Sequence, residues 1–334
     1  MSAKCDTLEK SIIKEMRKSK KALFAFLILT TTLTFGQGKT SEIGFISDND
    51  LYTSSKNDMY YTNGLELFYR FLSKNDNEKI NKKVTEFRVG QYIYNPRFIN
   101  ESAIDINDRP FTAYLFAEAG KSFFYQSESV LKTDFQLGFM GPNALGEQTQ
   151  VGFHKIIGYK KVYGWENQLH NAFAVQAHVM YSKKMFPSKQ NDFVDLHFHS
   201  EANLGTIFTG VSTGFMARFG FKKLLPIYDS NMYHASVNSQ TQTDIREFYF
   251  YAMPSVNYQF YDATIEGSMF NDTSPITFDL NPLRFNAEAG LKYRYNNFNI
   301  SYSFLYRGRE LNDPGINTNA GYFYGSIRMG FLLR

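Results

Sequence analysis

Oxygen donors crowd two short stretches near the start of this chain, Asp48-Asn49-Asp50 and Thr62-Asn63-Gly64. Asn49, Asp50 and Thr62 offer amide, carboxylate and hydroxyl oxygens, the ligand types that calcium prefers. Farther on, residues 143–158 carry Gln150, His154 and Ile157 at the three- and four-residue spacing that places them on one face of a helix. A neutral imidazole takes a proton from water near neutral pH, and a hard cation polarises a carbonyl. Together these residue types suit hydrolysis of an ester, which needs an activated water and a stabiliser for the tetrahedral oxyanion. Plainer readings stand beside these. Asp48-Asn49-Asp50 also reads as an acidic turn with Asp48 a bystander, Thr62-Asn63-Gly64 as strand-entry chemistry, and His154 as a solvated loop histidine. Asp108-Arg109-Pro110 reads as loop architecture in which Arg109 anchors a carboxylate, and also as a contact for an anionic substrate.

Other constellations are thinner. His197 and His199 lie two residues apart with Asp195 and Glu201, a set that could ligate a metal or simply line a wet interior. The one Gly-x-Ser-x-Gly string, Gly210-Val211-Ser212-Thr213-Gly214, lies inside an expected strand and not at a strand-to-helix elbow, and the sequence has no phosphate loop and no His-Glu-x-x-His motif, so nothing in it supports serine-nucleophile, nucleotide or zinc-protease chemistry. A net charge of +4 comes without a lysine and arginine stripe or a recognition motif, and nucleic-acid binding is not implied.

What must position these residues is legible in composition and periodicity. Aromatic residues make up 17% of the chain, 23 Tyr and 33 Phe against 1 Trp, as in a barrel with aromatic girdles. Residues 17–21 are basic and residues 22–35 apolar, with small residues before Gln37, which reads as a secretory signal peptide. Met16 precedes the basic run, so the first fifteen residues read as an upstream extension, giving residues 1–36 as extension and signal and 37–334 as barrel. A transmembrane anchor is the alternative for this segment, though it is short for a span. The one cysteine, Cys5, lies ahead of the expected cleavage point, leaving no disulfide or cysteine site in the exported part. No later segment offers 18 uninterrupted apolar residues, which excludes a bundle of transmembrane helices.

Beyond the leader the dominant pattern is period two. Leu283, Phe285, Ala287, Ala289, Leu291, Tyr293 and Tyr295 alternate with Arg284, Asn286, Glu288, Lys292 and Arg294. Phe298, Ile300, Tyr302, Phe304 and Tyr306 continue the alternation after Asn296-Asn297, a hairpin turn. Strands are expected near 41–48, 60–72, 84–94, 111–123, 129–140, 168–184, 192–204, 208–220, 246–260, 283–296, 298–307 and 320–333, an even twelve. The fold class that follows is all-β: a transmembrane antiparallel β-barrel of about twelve strands with a short helix on an extracellular loop. A soluble sandwich or lipocalin-like barrel is the rival architecture, disfavoured by the dense aromatics and regular charged face. With the N-terminus periplasmic, loops 1–2, 3–4 and 5–6 are extracellular, which gathers Asn49, Asp50, Thr62 and His154 on one rim. Residues 222–245 are too long for the periplasmic turn they should form, so either a strand is miscounted or the turn is elaborated.

Several blocks in fixed order sharpen this. Asp48-Asn49-Asp50-Leu51-Tyr52, Tyr60-Tyr61-Thr62-Asn63-Gly64, Gln91-Tyr92-Ile93-Tyr94-Asn95-Pro96, Asp108-Arg109-Pro110-Phe111 and Leu137-Gly138-Phe139-Met140-Gly141-Pro142 are followed by Gln148 to Gln150, Phe153-His154-Lys155-Ile156-Ile157-Gly158 and Gly164 to Asn171. In order and spacing this run resembles the LpxR-type lipid A deacylases of the bacterial outer membrane. The resemblance implies calcium-dependent removal of the ester-linked acyl chain at the 3′ position of lipid A. It implies His154 as base and Asn49, Asp50 and Thr62 around the metal. The expected partner is lipid A or lipopolysaccharide in the outer leaflet, met by a membrane-embedded monomer. The family's lysine after the Tyr-x-Pro block falls near Glu101 here, and Arg97 or Lys56 would take its place against a lipid A phosphate. The alternative is a non-enzymatic barrel, a narrow pore or surface-interaction protein that keeps the scaffold. Residues 172–334 match that family only in general character.

Overall fold

The computed structural model describes residues 38–53, 59–99, 104–158, 161–186, 192–239, 245–312 and 321–333. The expected leader (1–36), Lys56 and Glu101 lie outside the described residues, as does the side chain of Ile157. Within that set the chain forms strands β1 (Ser41–Asn49), β2 (Tyr60–Ser73), β3 (Ile80–Asn95), β4 (Thr112–Tyr125), β5 (Ser129–Met140) and β6 (Ala172–Lys184). The remaining six are β7 (Val194–Gly205), β8 (Phe208–Gly220), β9 (Arg246–Asp262), β10 (Leu283–Tyr295), β11 (Phe298–Arg307) and β12 (Tyr322–Leu333). Each pairs antiparallel with the next, and β12 closes on β1 from Ser41↔Leu333 to Asn49↔Gly325. Closure leaves no open strand edge, the condition for a sheet to cross a membrane. No helix is long and apolar enough to do so among the described residues.

Alternation decides which side of each strand meets lipid. Leu283, Phe285, Leu291, Tyr293 and Tyr295 of β10 are exposed, whereas Arg284, Asn286, Lys292 and Arg294 are buried. The barrel is therefore apolar outside and charged within, the inverse of a soluble core. Two expected boundaries move for local reasons. β3 starts at Ile80 rather than near 84, because Lys82, which reads as turn, is a buried lumen residue. β6 starts at Ala172 rather than near 168, because Trp165–Asn167 is a 3-10 turn preceding it.

Connections differ sharply between the two ends. At one end β10 and β11 join through Asn296-Asn297, with Asn296 at φ 51, the left-handed geometry of a tight hairpin. At the other, the connections from β3 to β4, β5 to β6 and β9 to β10 are long, which marks the extracellular rim. Among the described residues two α-helices lie there, α1 (Gly146–Ile157) and α2 (Ala263–Glu266).

The segment after β8 is an elaborated turn and not a missed strand. It folds back into the periplasmic half of the lumen, where Ile227, Met232, Ala235 and Val237 pack against Val84, Phe124, Met216 and Tyr249. Lys82 Nζ reaches Asp229 Oδ1 at 3.0 Å and the carbonyls of Ala235 and Val237 at 3.1 and 3.0 Å. Arg294 donates to the carbonyls of Asp229 and Ser236, both at 3.0 Å. Above this plug, Arg70 pairs with Glu42 and Glu86, and Arg88 with Glu66 at 2.8 Å. The upper lumen keeps a chamber of about 350 Å³, lined by Asp48, Tyr61, Tyr92, Glu288 and Tyr324 among others.

Candidate active site

On β3, Phe87 and Val89 face lipid, and the same parity carries Gln91, Ile93 and Asn95 toward the extracellular end. Yet Ile93 and Asn95 are buried. What covers them is the loop after β5, which folds down along the outside of the wall: Ala144, Val162 and Trp165 pack with Ile93, Ala113 and Phe111. Glycine at 146 makes this close approach possible, since a Cβ there would lie 2.5 Å from the Ala113 Cβ and 2.7 Å from the Trp165 ring. Gln91 fixes the start of the loop by donating to the Ala144 carbonyl at 2.6 Å.

The helix α1 then crosses the wall. Gly146 sits on β4 at Ala113, and one turn later Gln150 donates to Asn95 Oδ1 on β3 at 3.0 Å. Trp165 locks this turn by donating its indole N–H to Gln150 Oε1 at 2.9 Å. A further turn, about 6 Å along the axis, continues the same direction toward β2 and carries buried His154. The C-terminal end is closed by Gly158 at φ 70, whose N–H bonds to the His154 carbonyl.

The oxygen donors lie on the strands toward which the helix runs. Asn49, Asn63, Ile93 and Ala113 form one cross-strand row over β1 to β4, and cross-strand partners share a face. Asn49 Nδ2 donates to Asn63 Oδ1 at 2.5 Å, while its Oδ1 accepts from Leu51 N–H at 2.8 Å and caps a 3-10 turn at Asp50–Tyr52. Asp50 is buried, with Oδ2 accepting from Met59 N–H at 2.9 Å. Thr62, also buried, occupies the bulge that shifts register between Tyr61 and Asn63. Asp48 has the opposite parity: it lines the upper lumen and accepts from the Tyr61 hydroxyl at 2.8 Å. Asn49, Asp50 and Thr62 thus stand at the ends of two neighbouring strands, and their amide, carboxylate and hydroxyl oxygens match the donor chemistry of a hard cation.

The two arginines part company. Arg97 is exposed on the 3–4 loop, whose backbone is held where Arg97 N–H donates to Asp108 Oδ1 at 2.9 Å; Tyr60 donates its hydroxyl to the other oxygen of Asp108 at 2.9 Å. Arg109 is buried, donating to the Thr264 hydroxyl at 2.9 Å, facing Glu310 at 3.5 Å and lying over the Tyr94 ring. Burial pulls the guanidinium down, and the Glu310 and Asp262 carboxylates more than offset this, leaving it above its ordinary value. Arg109 therefore ties together the 3–4, 9–10 and 11–12 loops, as in the reading of it as a carboxylate anchor.

Asn95 was part of a matched block but not expected as a site residue; its outward parity was the available signal. The histidines of β7 line the lumen. His199 contacts Glu201 at 2.9 Å and the Tyr233 hydroxyl at 3.0 Å, and His197 contacts Asp195 at 3.2 Å. No group of three His, Cys, Asp or Glu converges as a metal site among the described residues.

Fold and site together define an outer-membrane β-barrel whose candidate site lies on the lipid side of the wall, under a loop helix. A family model described as outer membrane protein LpxR matches residues 23–331, and the chain belongs to that family. The structure of LpxR from Salmonella typhimurium superposes with a TM-score of 0.69 at 21% identity, covering 87% of this chain and 100% of that one. The β domain of the Bordetella autotransporter Brka gives a TM-score of 0.45 at 11% identity, covering 90% and 99%. No curated protein matches the sequence.

Proposed function

We propose that this protein is a lipid A deacylase that hydrolyses the ester-linked acyl chain at the 3′ position, with His154 as general base. Membership of the LpxR family supports an outer-membrane lipid A deacylase. The observation that carries the finer reading is the side of the wall on which the polar groups lie. Asn95, Gln150 and His154 are buried between α1 and the outer face of the barrel, beside the leaflet that holds the substrate. A soluble substrate would not need a site there.

In this reading His154 takes a proton from a water whose oxygen adds to the ester carbonyl carbon. Collapse of the tetrahedral intermediate breaks the bond to the sugar oxygen, and the imidazolium returns its proton to that oxygen. A fatty acid and a lipid A hydroxyl leave. Asn49, Asp50 and Thr62 would hold a calcium ion, which when bound polarises the carbonyl. Gln150, pinned by Asn95 and Trp165, sets the height of His154 above the wall. Arg97 meets a phosphate of the headgroup.

The pore alternative meets a lumen filled by the plug and by the Arg70 and Arg88 ion pairs. Mass spectrometry of lipid A from cells expressing the wild type, His154→Ala or Asp50→Ala, with and without a calcium chelator, decides between the readings. Loss of one acyl mass in the wild type alone, and only with calcium, is the expected result. An unchanged spectrum throughout sinks the proposal.

A further inference from the structure

On a helical wheel of about 100° per residue, α1 divides into three sectors. Gly146, Gln150 and His154, all buried, form the sector against the wall. Glu147, Gln148, Val151 and Lys155 form a second, exposed and charged. Thr149, Gly152, Phe153 and Ile156 form the third, which holds no charge at all. Its apolar members are strongly exposed, Ile156 at 84% and Phe153 at 44%. A helix lying on a protein wall in water has no use for two such different free flanks. One lying at a water–hydrocarbon boundary does.

The wall shows where that boundary runs. Gln91, which holds the Ala144 carbonyl, belongs to a cross-strand row that continues through Leu115 and Phe139 to Phe173. Phe139 and Phe173 are outward-facing rings in edge contact, 44% and 54% exposed, within the aromatic belt. Two residues nearer the periplasm on β3, Val89 is half exposed to lipid. The helix thus starts at the upper margin of the belt, and one of its two free flanks faces down onto it. Charged side chains there would be driven into hydrocarbon, whereas Phe153 and Ile156 extend the apolar surface already present.

We propose that the Thr149, Gly152, Phe153 and Ile156 flank of α1 is seated in the acyl chains of the outer leaflet, so that His154 works at the hydrocarbon boundary and receives its ester from the side. The identity of those chains as lipid A rests on the proposed function. The seating itself does not.

The test uses the full chain carrying Cys5→Ser, with single cysteines Phe153→Cys, Ile156→Cys, Gln148→Cys and Lys155→Cys labelled with a nitroxide in outer-membrane vesicles. Collision with molecular oxygen reports hydrocarbon, and collision with a water-soluble nickel chelate reports water. The expected result is a severalfold higher oxygen-to-nickel ratio at 153 and 156 than at 148 and 155. Equal ratios on the two flanks overturn the proposal, whatever the activity. As a second readout, Ile156→Asp should slow deacylation of lipid A in vesicles while leaving turnover of detergent-dispersed lipid A near wild type; equal loss in both also counts against the seating. Oxygen-rich labels in a protein that never deacylates lipid A would support the seating and refute the enzymatic reading alone.

Discussion

Gly146→Ala is the sharpest probe of the site, because helix propensity and geometry predict opposite outcomes. By propensity the change helps: alanine is favoured over glycine in a helix by up to about 1 kcal/mol. By geometry it harms. The new methyl would lie 2.5 Å from the Ala113 Cβ and 2.7 Å from the Trp165 ring. Carbon atoms sit comfortably at about 3.5–4 Å, so α1 must lift off the wall by roughly 1 Å. Ala113 is a short side chain on a barrel strand and cannot retreat. A misplacement of about 1 Å costs on the order of a hundredfold in turnover when it moves a reacting group. The control is in the same helix: a Cβ at Gly152 meets nothing within 4 Å, so Gly152→Ala carries the propensity gain without the clash.

The assay is the time course of acyl loss from lipid A by mass spectrometry, with heat-modifiable gel mobility reporting that the barrel is intact. Gly146→Ala should keep the barrel and lose activity, and Gly152→Ala should keep both. Ala113→Gly added to Gly146→Ala should recover part of the rate, since the Trp165 contact remains. Wild-type turnover in Gly146→Ala, or equal loss in Gly152→Ala, would refute the claim that contact with the wall sets the position of His154.

Other perturbations separate the remaining roles. Gln150→Leu strands the buried Trp165 indole N–H at a cost of about 1–3 kcal/mol, and hydrogen exchange over residues 146–157 should accelerate while the strands stay protected. Lys82→Met breaks a buried pair with Asp229, at about 3–5 kcal/mol, and removes two carbonyl contacts; planar-bilayer recording should show conductance in the variant and a closed wild type. Arg109→Met should speed proteolysis within residues 263–282 by removing the tie to Thr264 and leave the KM for lipid A unchanged, whereas Arg97→Ala should raise that KM at constant kcat.

How much of this could be read from the sequence depended on whether the information was local. Strand number and nearly every boundary follow from period two, because lipid outside and charge inside impose alternation residue by residue, as along β10 and β11. The plug was not legible. Ile227, Met232 and Val237 show no strand or helix period, and only their meeting with Val84 and Tyr249, far away in sequence, explains them. Nor was the burial of Arg109, since its partners Thr264 and Glu310 come from loops whose docking no local pattern encodes. His154 and Gln150 were placed on one helix face by spacing, and that face is the one against the wall.

One part of the site was written in the alternation itself. Outward positions run Ile43 and Phe45 on β1, Leu65, Leu67 and Tyr69 on β2, and Phe87 and Val89 on β3, all apolar or aromatic. At the extracellular end each of these three adjacent strands then turns polar on the same parity, at Asn49, Asn63 and Asn95. A lone asparagine facing lipid is costly because hydrocarbon offers it no hydrogen-bond partner. Three on neighbouring strands need partners and a cover: Asn49 and Asn63 bond each other, and α1 with its buried Gln150 and His154 covers the wall beside them and supplies the partner of Asn95. The same argument explains why the helix must carry one apolar flank: it replaces, at the boundary, the lipid-facing surface that the asparagines interrupt.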